Sequence, residues 1–176
     1  MADGSGRFSL AAGQQGKARL TGVSSQDTDV TYTAWTETLP TGGGLYLGTT
    51  VRGTAGGDYR GRVRIQSTGA MIAQLQKVVA GTETTLASAN VTGLTYVPGM
   101  KLRIRVQAQG ASPTTLRLKV WEDGTTEPTA WRVTTTDATD GLQVAGSVGF
   151  DPFVSGSATT PSVVRYDDLS AVRIPV

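Results

Sequence analysis

Strict alternation of polar and apolar residues in three separate runs constrains the fold of this chain more than any other feature. Residues 59–65 read YRGRVRI, residues 101–107 read KLRIRVQ and residues 116–121 read LRLKVW. Successive side chains of a β-strand point to opposite faces, so this alternation predicts strands that bury one face and expose the other. No segment shows helical periodicity over three turns, and we therefore predict an all-β protein.

Turn-forming residues divide the rest of the chain into further short strands. Turns are expected at 67–69, 80–82, 109–113 and 123–124. About ten to thirteen strands at this spacing predict an antiparallel two-sheet sandwich of jelly-roll type, with a barrel as the alternative. The additional predicted strands are 7–11, 17–23, 29–37, 44–52, 70–78, 84–87, 131–135, 142–150 and 163–174. The predicted core contains the apolar members of the alternating runs, Val63, Ile65, Leu102, Ile104, Val106, Leu116, Leu118 and Val120.

The absence of two residue types excludes much of the chemistry that proteins perform. The chain has no cysteine and no histidine among its 176 residues. Disulfides, thiolate nucleophiles, histidine-based triads and the usual zinc or copper sites are therefore excluded. A metal site would need oxygen ligands only, which leaves calcium as the candidate.

The length and the hydropathy pattern indicate one sandwich domain, residues 1–176, which we expect to be either a whole chain or a piece of a longer protein. No apolar run reaches the roughly 18 residues of a membrane span, so we expect no membrane insertion. The first 20 residues contain no apolar signal-peptide core, and we expect this chain to carry no signal peptide.

A series of motifs along the chain resembles one known group of proteins. The motifs lie at 59–65, 69–71, 81–86, 93–96, 98–106, 116–121, 128–131, 146–150 and 166–170. Together they resemble the laminin-G-like, concanavalin-like β-sandwich modules of actinobacterial secreted proteins and actinophage minor tail proteins, over about residues 5–174. The resemblance implies the fold more strongly than the ligand, because this architecture includes lectins, carbohydrate-binding modules, hydrolases and spacers.

The N-terminus departs from that resemblance. Such modules usually have a further strand upstream with a Gly-Trp-Gly stretch, whereas this chain begins MADGSG. In these sandwiches the first and last strands commonly lie side by side, so the missing strand would leave the last strand with a bare edge. Bare edges invite pairing with another chain. We predict that residues 7–11 fold back onto this edge, with pairing to a second copy as the alternative.

Half of all lysines and arginines occupy the polar positions of the three alternating runs. If the strands share a sheet, these side chains form one cationic surface near Gln74, Gln76 and Gln107. Such a surface suits an acidic glycan, a polyphosphate or the carboxylates of another subunit. The alternative is a set of solubilising side chains on a water-facing strand. The eight candidate binding residues are Arg60, Arg62, Arg64, Lys101, Arg103, Arg105, Arg117 and Lys119.

Aromatic residues are the second signature of glycan binding, because a flat exposed ring stacks on a sugar face. Trp121 has the same parity as Arg117 and Lys119, so it is the best candidate for an outward-facing ring. Trp131 is expected to close one end of the core. The side on which Trp35 lies is left open. Packing within the protein is the alternative for each of them.

Acidic residues supply no evident catalytic pair. Glu122, Asp123 and Glu127 straddle an Asp-Gly turn, whereas glycoside hydrolysis needs two carboxyls facing each other across a cleft. We predict a solvated loop there and no enzymatic activity. In many sandwich modules of the type named above, an Asp at the position of Asp168 helps to hold a structural calcium ion. The resemblance thus implies Asp168 as a calcium ligand, and the alternative is an exposed acid or a local hydrogen bond.

These observations predict a non-catalytic carbohydrate-binding or adhesion module that recognises a surface polysaccharide or cell-surface glycan, including anionic ones. One alternative is a structural domain of a phage tail or another assembly, which binds other protein subunits. A second alternative is a targeting module of a glycoside hydrolase. No nucleic-acid motif is present, and we expect no nucleic-acid partner. An extracellular or virion location follows from the same hypothesis.

Overall fold

The structure is a computed structural model that describes residues 4–175. It contains strands and no helix over these residues, so the described chain offers no helix that could cross a membrane. The strands are β1 (Gly6–Leu10), β2 (Ala18–Ser25), β3 (Thr28–Trp35), β4 (Leu45–Thr54), β5 (Gly57–Ile65), β6 (Met71–Val79), β7 (Thr82–Val91), β8 (Leu102–Gln109), β9 (Thr114–Glu122), β10 (Val133–Asp137), β11 (Gly146–Phe150), β12 (Phe153–Val154) and β13 (Ser162–Arg173).

The strands form two antiparallel sheets. The six-stranded sheet has the order β1-β13-β3-β8-β9-β10. The seven-stranded sheet has the order β2-β11-β4-β5-β6-β7, and the short β12 pairs with β4 beside it. This arrangement confirms the predicted all-β, antiparallel two-sheet sandwich of jelly-roll type. Neighbouring strands are often far apart in sequence, as β13 and β3 are, so the sheets are built largely from long-range pairings.

The core lies between the two sheets and contains the residues that the alternation predicted. All eight apolar residues listed above for the three alternating runs are buried. The sheets approach closely at Gly61 on β5, where an added Cβ would lie 2.6 Å from Val106 Cγ1 on β8. Glycine at this position therefore lets β5 pack directly against the opposite sheet.

The β6–β7 hairpin turns through Ala80 and Gly81, which have positive φ angles of 49° and 79°. Two central residues with positive φ define the tight turn whose twist matches antiparallel strands. β7 is the last strand of its sheet, and Glu83 is its second residue. The turn therefore sets Glu83 at an edge of the seven-stranded sheet.

The N-terminal strand covers the edge that the sequence predicted to be bare. β1 pairs antiparallel with β13, from Gly6 opposite Tyr166 to Leu10 opposite Ser162. Phe8 also packs edge-on against Tyr166, with ring centroids 5.8 Å apart. The prediction that this segment folds back is confirmed, and the first strand completes the six-stranded sheet.

One end of the sandwich is closed by a polar network around Asp137. Tyr59 donates a hydrogen bond to the Asp137 carboxylate over 2.6 Å, and Lys77 Nζ lies 2.8 Å from its other oxygen. Burial opposes ionisation of Asp137, but the hydrogen bonds from Lys77, Thr139 and Tyr59 outweigh it and hold its pKa well below the ordinary value. Burial, followed by the hydrogen bond to Asp137, raises the pKa of Tyr59.

Candidate functional site

The eight cationic candidates do not form one surface. Arg60, Arg62 and Arg64 lie on β5 in the seven-stranded sheet, whereas β8 and β9 belong to the six-stranded sheet. The sheets pack face to face, so their polar faces point in opposite directions. The expectation of a single cationic face is therefore wrong. The candidates on the six-stranded side are Lys101, just before β8, and Arg103, Arg105, Arg117 and Lys119.

On the six-stranded face, a loop folds back and neutralises two of the cations. Arg105 binds the carboxylate of Asp29 through two nitrogens, and its Nη1 lies 2.6 Å from Glu127 Oε1. Lys119 Nζ lies 2.7 Å from the same Glu127 oxygen. Burial opposes ionisation of Glu127, but hydrogen bonds from Lys119 and Arg105 outweigh it and keep its pKa below the ordinary value. Glu127 is thus an ion-pair partner, and it is exposed like Glu122 and Asp123, as the predicted solvated loop requires.

Trp131 belongs to the same cluster. Lys119 Nζ lies 4.7 Å from its ring centroid, and the Arg105 guanidinium carbon lies 5.7 Å away. Both distances are within the range of cation–π attraction. The expectation that Trp131 closes an end of the core is wrong, because its ring rests on the outer face of the sheet among the cations.

The remaining cations of this face also contact polar or aromatic side chains. Arg103 donates a hydrogen bond to Thr33 Oγ1 and lies 3.5 Å from Asp168. Arg117 donates to the side-chain oxygens of two glutamines, Gln107 and Gln109. The ammonium of Lys101 lies 4.6 Å from the ring centroid of Trp35, which places Trp35 on the outer face.

Asp168, the residue predicted to bind calcium, sits at an irregular point of β13. Its carboxylate accepts a hydrogen bond from Thr33 and pairs with Arg103. Among residues 4–175, no group of three or more acidic side chains is arranged to hold a metal ion. With 62% of its side chain exposed, Asp168 fits the alternative of an exposed acid, and its two partners come from strands distant in sequence. Calcium binding at Asp168 stays a prediction.

Trp121 does not offer the exposed ring that its parity predicted. It lies on β9 opposite Arg103, but only 8% of its surface is exposed. Residues of the following loop, among them Thr125 and Pro128, line a depression together with Trp121. With so little of its surface exposed, the Trp121 ring offers no flat face on which a sugar could stack.

On the seven-stranded sheet, two arginines and two glutamines are adjacent. Arg60 pairs in register with Gln76, and Arg62 pairs with Gln74, so the four side chains lie on one face of β5 and β6. Although this face points away from the core, Arg60 and Arg62 are each only 7% exposed and Gln76 is 2% exposed. Arg60 and Arg62 line depressions in this face, and we call the region of the four residues the arginine–glutamine groove.

Carboxylates border the groove. Arg62 binds Glu83 through both terminal nitrogens, with 2.7 Å between Nη1 and Oε1. Arg60 pairs with Asp58, and its Nε lies 3.8 Å from Asp151. These contacts fix the planes of the two guanidinium groups.

Several polar atoms of the groove are left unsatisfied. Arg60 Nε, Arg62 Nε, Gln74 Oε1 and Gln76 Oε1 are buried and have no hydrogen-bond partner among the described residues. A buried polar group without a partner costs about 1–3 kcal/mol, so four of them on one face are unfavourable in the unliganded protein. On β8 and β9, within the described chain, no side-chain nitrogen or oxygen is both buried and unsatisfied.

Two aromatic rings flank the groove. Tyr46 on β4 and Phe153 on β12 have ring centroids 5.6 Å apart. The guanidinium carbons of Arg62 and Arg64 lie 5.1 Å and 5.3 Å from the Tyr46 centroid. Arg64 also donates a hydrogen bond to the Gly43 carbonyl. Tyr46, with Phe153 packed against it, is therefore the aromatic surface next to the arginines of this groove.

The groove opens into two depressions that share a border. One, of about 380 Å³, is lined by Tyr46, Arg62, Glu83 and Phe153. The other, of about 490 Å³, is lined by Arg60, Glu83 and the β4–β5 turn, among others. Gln15 and Glu83 line both depressions.

The sequence analysis named the three arginines and the nearby glutamines but missed Glu83 and Phe153. Glu83 follows a recognisable hairpin turn, so its place at the start of β7 was predictable. Its contact with Arg62 was not, because β7 carries a bulge opposite Leu75 and Gln76 that shifts the register. Phe153 reaches the groove because β12 pairs with β4, a pairing between segments about 100 residues apart.

Neither a protein-family model nor a curated protein sequence matches this chain. Solved structures match its fold. The carbohydrate-binding module CBM66 from Bacillus subtilis aligns with a TM-score of 0.60 at 15% identity and covers 97% of this chain and 98% of that one. A mutant of the alginate lyase Aly36B in complex with an alginate tetrasaccharide aligns with a TM-score of 0.63 at 14% identity. The alignment covers 99% of this chain and 82% of the lyase. Sheep galectin-11 aligns with a TM-score of 0.50 at 12% identity and covers 93% and 99%.

At these identities the similarity concerns the fold alone. It agrees with the concanavalin-like sandwich that the sequence motifs predicted. The narrower resemblance to laminin-G-like modules of actinobacterial secreted proteins and actinophage tails stays a prediction.

Proposed function

We propose that this protein is a non-catalytic carbohydrate-binding or adhesion module and that the arginine–glutamine groove is its binding site. The observation that supports this most is the set of four buried, unsatisfied polar atoms on Arg60, Arg62, Gln74 and Gln76. Two are donors and two are acceptors, which matches the dual hydrogen-bonding capacity of sugar hydroxyl groups. Buried polar groups of this kind are satisfied when a ligand supplies the missing partners.

The aromatic rings support a saccharide ligand over a small inorganic anion. Tyr46 and Phe153 line the same depression as Arg62, so a bound ring has an apolar surface beside its polar contacts. Carbohydrate sites commonly combine these two features. The face is also cationic, because no carboxylate among the described residues pairs with Arg64. We therefore propose that the polysaccharide is anionic.

We propose that the groove binds without catalysis. Its carboxylates, Asp58, Glu83 and Asp151, are all ion-paired with arginines, so none of them is free to act on a bound sugar. Glycoside hydrolysis requires two carboxyls that face each other across the bound sugar. Incubation with neutral and acidic polysaccharides should release neither reducing ends nor unsaturated sugar ends. Turnover that disappears in a Glu83→Gln variant would contradict this.

A polysaccharide ligand agrees with a location outside the cell or on a virion, which we also propose. It agrees equally with an adhesion protein, a phage tail domain and a targeting module attached to a hydrolase. These settings share one binding function and differ only in what the module is attached to.

Calorimetric titration against a panel of neutral and acidic oligosaccharides tests the proposal. A shallow site predicts dissociation constants of about 1 μM to 1 mM. Arg62→Gln should weaken binding at least about tenfold, whereas Arg117→Gln, the matched arginine on the opposite face, should change it less than about twofold. Equal weakening by both variants, or no binding by the parent protein, would contradict the assignment.

A further inference from the structure

The carboxylate of Glu83 lies against the two arginines of the groove. Both of its oxygens contact the terminal nitrogens of Arg62, and Oε1 also accepts a hydrogen bond from Gln76 Nε2 over 3.2 Å. Arg60 Nη1 lies 3.9 Å from Oε2. Two guanidinium groups and one amide thus converge on a single planar carboxylate.

The two sides of this contact are anchored differently. The Arg62 side chain is 8% exposed and comes from β5, which is paired on both sides within the sheet. The Glu83 side chain is 36% exposed and comes from the second residue of the edge strand β7, next to the Ala80–Gly81 turn. A rotamer change of Glu83 moves its carboxylate into solvent and leaves the arginines in place. The Glu83 carboxylate is therefore the group of this ion pair that a ligand can displace.

We infer that the groove takes a saccharide whose sugar units carry carboxylate groups, and that a ligand carboxylate replaces that of Glu83 on Arg62 and Gln76. This inference rests on the proposed function of the groove. The two-point contact of Glu83 with Arg62 is the geometry in which a guanidinium binds a planar carboxylate, which favours a carboxylated sugar over a neutral one.

The exchange also gives the unsatisfied glutamine atoms a role. Gln74 and Gln76 lie directly beside Arg62 and Arg60 in the β5–β6 register. Their free Oε1 atoms are buried while Glu83 bridges Arg62 and Gln76. When Glu83 leaves, hydroxyl groups next to the bound carboxylate can donate to these acceptors. The ligand then provides hydrogen-bond partners for Arg62 and for the side-chain amides of Gln74 and Gln76 together.

Glu83 therefore sets specificity by competition. An acidic sugar must displace one carboxylate to bind, and this keeps its affinity moderate. A neutral sugar does not replace the charge of Glu83 and gains nothing from its departure. Removal of the Glu83 charge should consequently strengthen binding of acidic ligands alone.

A Glu83→Gln variant tests this, with Glu122→Gln as a matched control. Glu122 is an exposed residue at the end of β9, so its variant makes the same change in net charge away from the groove. The probes are galacturonate and mannuronate hexasaccharides and their fully methyl-esterified forms. Glu83→Gln should bind an acidic form about five- to tenfold more tightly than the parent, with less than about twofold change for the esters. Glu122→Gln should match the parent with every probe.

The outcomes separate this inference from the proposed function. If Glu83→Gln weakens binding of an acidic hexasaccharide, or strengthens the acidic and esterified forms equally, Glu83 does not compete with a ligand carboxylate. The same holds if only the esterified forms bind, although the groove then remains a saccharide site. If neither the parent nor Glu83→Gln binds any probe and both melt at similar temperatures, this inference is wrong. The proposed function itself is wrong if the wider oligosaccharide panel also shows no binding.

Discussion

Replacement of Arg52 by methionine should destabilise the protein substantially. Arg52 lies on β4 and is fully buried. Its two terminal nitrogens donate hydrogen bonds to the carbonyls of Gln26, Gly110 and Leu142 and to the hydroxyl of Thr114. The side chain thus ties three connections to β4: the β2–β3 turn, the β8–β9 hairpin and the segment before β11. Methionine keeps most of the apolar contact but removes every donor.

The size of the effect follows from which acceptors lose their partners. Gly110 O also accepts a hydrogen bond from Thr114, and Thr114 contacts Gln143, so these groups keep other partners. The carbonyls of Gln26 and Leu142 lose their hydrogen bonds from Arg52, which should cost about 1–3 kcal/mol of unfolding free energy each. Relief of the buried charge offsets part of this, since burial already lowers the pKa of Arg52. We expect a net loss of about 2–4 kcal/mol in the free energy of unfolding.

Thermal unfolding measures this directly. At about 2–4 °C per kcal/mol for a chain of this size, Arg52→Met should lower the melting temperature by about 4–16 °C. Arg173→Met, at an exposed arginine near the end of β13, should change stability by less than about 0.5 kcal/mol. A melting temperature of Arg52→Met equal to that of the parent would refute the reasoning. It would mean that desolvation of the buried guanidinium costs as much as its hydrogen bonds contribute.

Three further predictions concern stability. Deletion of residues 1–12 should lower the melting temperature or cause aggregation, because it removes β1 and bares the edge of β13; a monomeric deletion variant that melts like the parent would contradict this. Calcium binding at Asp168 predicts a higher melting temperature in millimolar calcium than in chelator, and an unchanged melting curve would leave Asp168 only as the partner of Arg103 and Thr33. The free energy of unfolding should fall as the pH drops below about 4, because the folded protein depresses the pKa of Asp137 and loses the stabilisation from its charged form as that group is protonated. Asp137→Asn should flatten this part of the stability–pH curve. An unaltered slope would contradict the role of the pair between Asp137 and Lys77.

The alternating pattern was sufficient to predict the fold class and the core. Val63, Ile104 and Leu118 are buried because a strand with one face in water must place its apolar residues on the other face. This relation is local, so it can be derived from a few consecutive residues.

The pattern did not indicate which sheet each strand joins. The runs that contain Arg62, Arg103 and Arg117 look alike, because a half-buried strand has the same pattern in either sheet. Sheet membership depends on pairings between distant segments, which one sequence does not reveal. The eight cations were therefore predicted correctly as polar positions but placed wrongly on one surface.

Bulges and loops explain the other differences between the predicted and the observed positions of side chains. The shift in register of β4 between Thr50 and Arg52 reverses the inside–outside parity, so an arginine that counting would place outside lies in the interior. Trp121 has the outward parity that was predicted, but it is almost fully buried and lines a depression together with residues of the loop after β9. Neither effect leaves a local signal in the alternating pattern.

Mapping chemical-shift changes in the ¹⁵N-labelled protein during titration with an acidic oligosaccharide will show whether the outer face of the seven-stranded sheet binds a saccharide. We expect backbone amides of β4, β5 and β6 and the side-chain amides of Gln74 and Gln76 to shift together and to saturate with one dissociation constant. Amides of β8 and β9 around Arg103 and Arg117 should not move. Shifts confined to β8 and β9 would contradict the account and assign binding to the opposite sheet.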